Sequence, residues 1–101
     1  MFMRIWQLRA RADKNAEFRE CYGPGGAWAV LFRRGAGYLG TELFESTTDA
    51  ASYLAVDRWE SAEEWQKFLR AWSEDYAALD EMCSHLTVTE AEIGAFRVQA
   101  S

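Results

Sequence analysis

The stretch Ser52-Tyr53-Leu54-Ala55-Val56-Asp57-Arg58-Trp59-Glu60-Ser61-Ala62-Glu63-Glu64-Trp65 changes period in its middle. Up to Trp59 the pattern is that of a β-strand. Tyr53, Ala55, Asp57 and Trp59 fall on one face, and Leu54, Val56 and Arg58 on the other. Ser61 and Glu64 then form a capping box, in which the hydroxyl accepts from the Glu64 amide and the Glu64 carboxylate reaches back. Beyond it Trp65, Phe68, Leu69 and Trp72 recur at i, i+3, i+4 and i+7, the apolar stripe of an amphipathic helix. A strand therefore hands over to a helix within three residues. On the other side of the strand, Tyr38 to Glu45 alternates as well, and Ser46-Thr47-Thr48-Asp49 is turn chemistry. The two alternating runs read as a β-hairpin that feeds the helix.

The same reading extends to both ends. Residues 2–11 alternate with apolar side chains in both registers, a strand with two useful faces. Asp13 is placed to cap a helix carrying Phe18, Cys21 and Tyr22, and Gly23-Pro24-Gly25-Gly26 breaks that helix. Ala27 to Arg34 resumes as helix, with Gly35 as its stop; the apolar run Trp28–Phe32 also fits a buried strand, and helix is favoured. Ser73 caps a second helical piece after Trp72, with Tyr76, Leu79 and Met82 on one face. Leu86 to Glu92 is ambiguous, and Ile93 to Val98 is a last strand. The order β, broken α, β, β, broken α, β is the α+β split βαβ, or ferredoxin-like, pattern: an antiparallel four-stranded sheet with helices on one face. With 101 residues, the chain reads as one domain, residues 1–101.

Composition narrows the partners. Eleven Lys and Arg face sixteen Asp and Glu, for a net charge of −5. No basic stripe exists to neutralise phosphates, so nucleic acid is not expected, nor an anionic membrane surface. No apolar run approaches a membrane span, and residues 1–6 lack the pattern of a secretory leader, so a cytoplasmic location is expected. Cys21 and Cys83, with no CxxC or Cys/His cluster, are expected to be reduced and buried, and no metal site is expected. Five Trp, six Phe and four Tyr are many large rings for a chain of 11.6 kDa. The sheet face without helices carries apolar positions on every strand. A second copy laid sheet against sheet would cover it, so a homodimer is expected.

The chain resembles the antibiotic biosynthesis monooxygenase-like family of dimeric α+β barrels. The residues that carry the likeness are Gly37-Tyr38-Leu39-Gly40, the strand Tyr53–Trp59 ending in Trp, and the Glu60-Ser61-Ala62-Glu63-Glu64-Trp65 helix entry. The resemblance implies two sheets closing into an eight-stranded barrel, with a pocket in each subunit between sheet and helices. It also implies a cofactor-independent oxygenase of a polycyclic phenol, anthrone or quinol, with no cofactor. In the anthrone-oxygenating branch an Asn and a Trp one helical turn apart contact substrate; Trp65 matches that Trp, and Ser61 stands in place of the Asn. The haem-degrading branch uses an Asn, a Trp and a His that this chain lacks at the matching places, near Trp6 or Gln7, at Phe68 and around Ala78 to Asp80.

Such chemistry needs an aromatic slot, a proton acceptor and a donor or cation for the developing anion. His85, the one His, and Arg58 are the candidate catalytic groups, and Trp65, Tyr76, Tyr38 and Trp72 the candidate substrate-binding residues. Glu42 is a base only if it faces a desolvated pocket. Trp6 and Trp59 fit a dimer interface equally well. The alternative reading is a non-catalytic small-molecule-binding or regulatory dimer; convergence of titratable or donor side chains on the pocket discriminates between the two.

Overall fold

The computed structural model describes residues 1–99. Strand β1 (Phe2–Ala10) leads through a short 3-10 turn into α1 (Asn15–Tyr22) and α2 (Ala27–Phe32). The hairpin β2 (Tyr38–Glu45) and β3 (Ser52–Trp59) follows, then α3 (Ala62–Ala71), α4 (Ser73–Cys83), a second 3-10 turn (Ser84–Leu86) and β4 (Thr87–Arg97). The sheet is antiparallel throughout in the order β2-β3-β1-β4, the ferredoxin-like arrangement. The run Trp28–Phe32 is helical. β4 starts at Thr87, six residues before the strand read from the sequence, because pairing with β1 rather than local periodicity sets its length.

Helix entry at α3 is made as expected on one side only. Ser61 Oγ accepts from the Glu64 amide at 3.2 Å, but the Glu64 carboxylate turns to Lys67 at 3.4 Å instead of reaching back. Neither Asp13 nor Ser73 caps. Asp13 lies inside the 3-10 turn, and Ser73 is already the first residue of α4, since the α3–α4 break at Trp72 is a kink whose amide bonds back to the Phe68 carbonyl. The break between α1 and α2 requires glycine at position 26, where a Cβ would stand 2.3 Å from the Glu20 carbonyl oxygen. Gly40, at φ +144°, sits where the β2–β3 register shifts, the position a β-bulge reserves for glycine.

Register places the side chains in rows. On the helix-covered face these are Tyr38–Trp59–Phe2, Thr41–Asp57–Arg4, Leu43–Ala55–Trp6–Glu92 and Glu45–Tyr53–Leu8–Glu90. Trp59, Phe18 and Phe68 are fully buried there and anchor the core. Rings meet edge-on or tilted around Phe32, which lies 5.6 Å from Trp59 and 5.4 Å from Phe68 between centroids. Trp59 is thus a core residue, and Trp6 also faces the helices; neither lies on the open face. That face carries the rows Phe44–Leu54–Gln7, Glu42–Val56–Ile5 and Arg58–Met3–Phe96, with Phe44, Leu54 and Phe96 exposed.

Candidate functional site

A cleft lies between the sheet and the helices. Its floor is Trp6 and Leu8 of β1 with Ala55 and Asp57 of β3. The methyl of Ala55, set between Leu43 and Trp6 in its row, is too short to fill the space above it. Tyr22, Trp28, Phe32 and Tyr76 form the helical wall, and Asp80 and Glu90 complete the lining. The free space of the cleft is about 460 Å³, part of it open to solvent.

Asp57 is the one acid of the buried core among the described residues. Its Oδ1 accepts from Thr41 Oγ1 at 2.8 Å, the cross-strand neighbour in its row. Since the Thr41 proton is committed to Asp57, the 2.6 Å contact between Tyr38 and Thr41 has the tyrosine donating. The hydrogen bonds thus run from Tyr38 to Thr41 and from Thr41 to Asp57. No hydrogen bond within the described residues reaches Asp57 Oδ2. Asp57 lines the cleft and keeps 7% of its surface exposed. Burial pushes the Asp57 carboxyl up to about 6, against the Thr41 hydrogen bond and the Arg4 charge, which pull it down. Arg4 lies on the other side of the row. Its guanidinium is 4.2 Å from the Trp65 ring centroid and 5.2 Å from that of Trp6, and it pairs with Glu92 at 3.2 Å. Burial raises the Tyr76 phenol above its ordinary value despite Arg4 beside it, so Tyr76 stays a protonated donor. Tyr22, also raised by burial, donates to Glu90 at 3.0 Å.

The side chains singled out from the sequence scatter around this cleft. Tyr76 lines it. Trp65 is the layer behind, 6.0 Å from Tyr76 and under Arg4. Tyr38 reaches it through Thr41. Trp72 packs outside, beneath the Arg34 guanidinium at 4.9 Å. Arg58 points to the open sheet face and pairs with Glu42, because β-strand alternation sends it opposite to Asp57. His85 is exposed on the turn after α4, away from the lining. Cys21 and Cys83 are free and buried. Asp57 was visible as a single carboxylate on the Tyr53–Ala55–Trp59 face, a buried polar position that asks for a reason. Arg4, Thr41 and Trp28 carried no comparable signal, since each acquires its neighbours only through pairing or helix packing.

The fold agrees with solved structures. SnoaB, a cofactor-independent oxygenase from Streptomyces nogalater, superposes with a TM-score of 0.78 at 17% identity, covering 99% of this chain and 94% of that one. A Deinococcus radiodurans protein assigned to the antibiotic biosynthesis monooxygenases gives 0.75 at 15% identity, over 100% and 95%. One from Bordetella bronchiseptica gives 0.76 at 19%, over 98% and 97%. No curated protein sequence matches the chain. The sequence profile of the antibiotic biosynthesis monooxygenases matches residues 1–79, and on that match the chain belongs to the antibiotic biosynthesis monooxygenase family.

Proposed function

We propose that this protein is a cofactor-independent monooxygenase of an electron-rich phenol, anthrone or quinol, with Asp57 as the base. The observation that carries the reading is a buried carboxylate lining an aromatic cleft, one oxygen held by Thr41 and the other without a hydrogen-bond partner among the described residues. Family membership and the likeness to SnoaB support oxygenation as the reaction class. Asp57 Oδ2 takes a proton from the acidic CH₂ of an anthrone-like substrate and leaves a carbanion. The carbanion passes an electron to O₂ and the two radicals combine, forming a C–O bond and a peroxide anion. Asp57 returns its proton to that anion. The hydroperoxide then loses water, leaving one oxygen atom as the new carbonyl. Tyr76 donates to the enolate oxygen as charge develops there.

A non-catalytic binding module would not require titratable and donor groups to converge, and here Asp57, Tyr76, Tyr22, Asp80 and Glu90 do so. The test is oxygen uptake with an anthrone and a quinol panel on metal-stripped protein. Uptake by the native chain, lost at least a hundredfold in Asp57→Asn, is expected. Uptake unchanged in Asp57→Asn refutes the assignment of the base, and no uptake with any substrate refutes the oxygenase. The protein is further proposed to work as a homodimer closed over the Phe44–Leu54 face.

A further inference from the structure

The cleft carries a charge pattern that bears on its substrate. Three of its lining residues are carboxylates, Asp57, Asp80 and Glu90, and the lining contains no Lys, Arg or His. Arg4, outside the lining, is stacked on Trp6 and Trp65 and paired with Glu92; its charge reaches Asp57 and it hydrogen-bonds the Tyr76 phenol, which leaves Asp80 and Glu90 as the acids it does not offset. Glu90 is fixed in place, since its Oε1 accepts from both Tyr22 and Thr87. Asp80 is exposed, and its charge reaches the Tyr76 phenol. Among the described residues no three His, Cys, Asp or Glu side chains are grouped so as to hold a metal ion. Of the three acids Asp57 is the buried one, more than nine-tenths covered, with a single hydrogen bond among the described residues, from Thr41 to Oδ1, which leaves acceptor capacity for a ligand that donates. The aromatic walls act in the same sense, because ring faces carry a negative quadrupole that repels anions and attracts cations and polarised donors.

We propose that the cleft selects by charge: it takes an aromatic substrate that bears hydroxyl or amino donors and no anionic substituent, and it rejects the carboxylated analogue. The donor at one end meets Asp57, and a second donor at the other end meets Asp80 or Glu90. This rests on the reading of the cleft as the aromatic substrate site, but it concerns binding and does not require turnover. A carboxylate on the substrate would be brought beside Asp80 and Glu90, where like charges repel.

The experiment is calorimetric titration of the full-length protein near neutral pH with 2-naphthol, uncharged there, and with 6-hydroxy-2-naphthoate, the same ring with a carboxylate. 2-Naphthol is expected to bind about tenfold more tightly or better. In Asp80→Asn with Glu90→Gln the ratio is expected to fall to roughly threefold or less, through tighter binding of the naphthoate. Gln at 90 retains an acceptor for Tyr22. Asp80→Asn alone, at an exposed side chain, is the variant that folds without question of that contact, and it is expected to close part of the gap. Equal affinities for the two ligands, with oxygen uptake intact, overturn charge selection and leave the oxygenase standing. A ratio unchanged in both variants overturns the role of these acids. Binding of neither ligand overturns the cleft as an aromatic site, and this inference with it.

Discussion

Replacing Asp57 by Asn should make the protein more stable while removing its activity. The carboxyl is raised from its ordinary 3.8 to about 6 by burial. A raised acid binds its proton in the folded chain over a pH range where the unfolded chain has already released it, so the native state holds more protons than the unfolded state there. Stability therefore falls as pH rises from about 4 to about 6, and the loss is complete above the folded value. The difference between 3.8 and about 6 corresponds to about 3 kcal/mol of destabilisation at neutral pH. Asn is nearly isosteric, has no charge to bury, and its Oδ1 still accepts from Thr41. Near pH 4 the two proteins should differ little, and near pH 7.5 the variant should be ahead by about 2 kcal/mol more than at the acid end. Urea unfolding of both proteins at the two pH values gives the double difference, in which every other titrating group cancels. A gap that does not widen toward neutral pH, or a variant less stable than native at neutral pH, would refute the desolvated carboxylate and with it the reason for placing the base there.

Thr41→Val keeps the shape of the side chain but removes the donor that stabilises ionised Asp57. Hydrogen bonds to charged groups contribute about 1.5–3 kcal/mol, so the acid limb of the oxygen-uptake profile should move up by about one unit or more; an unmoved limb means Asp57 does not control it. Gly26→Ala drives a Cβ to within 2.3 Å of the Glu20 carbonyl oxygen and 2.6 Å of that of Cys21, both backbone atoms that cannot swing away. It should lower the urea midpoint by the equivalent of about 2 kcal/mol or more, whereas Gly25→Ala, with nothing within 4 Å of the new methyl, should change it by less than about 0.5 kcal/mol. Light scattering should return about twice the 11.6 kDa chain mass. Leu54→Glu on the open face should reduce it to the single-chain mass, and a native mass equal to one chain would refute the paired sheets.

Much of the fold was readable from local patterns. The period-two runs 38–45 and 52–59 coincide with β2 and β3, and the Ser61 hydroxyl caps α3 on the Glu64 amide. Such features are decided by neighbours within four residues, so the sequence states them directly. Where the local signal was weak the reading fell short. β4 begins at Thr87 because β1 pairs with it there, and Asp13 and Ser73 lie inside helical turns and not at their caps.

The site lay beyond such reasoning. Thr41 and Asp57 are 16 residues apart and meet only through the β2–β3 register, and Arg4 reaches Glu92 across 88 residues of chain through the β1–β4 pairing. Which strand face the helices cover decided that Asp57 and Trp6 line the cleft while Arg58 looks out to the open face. The kink at Trp72 and the direction of α4 decided that Tyr76 reaches the cleft and His85 does not. By itself the sequence determined the order of elements, the helix entry and the apolar face left without helices, because these depend on periodicity and short-range hydrogen bonds. Only the tertiary structure decided which polar groups converge, because that depends on strand register and on how much water the packed helices exclude from a single carboxylate.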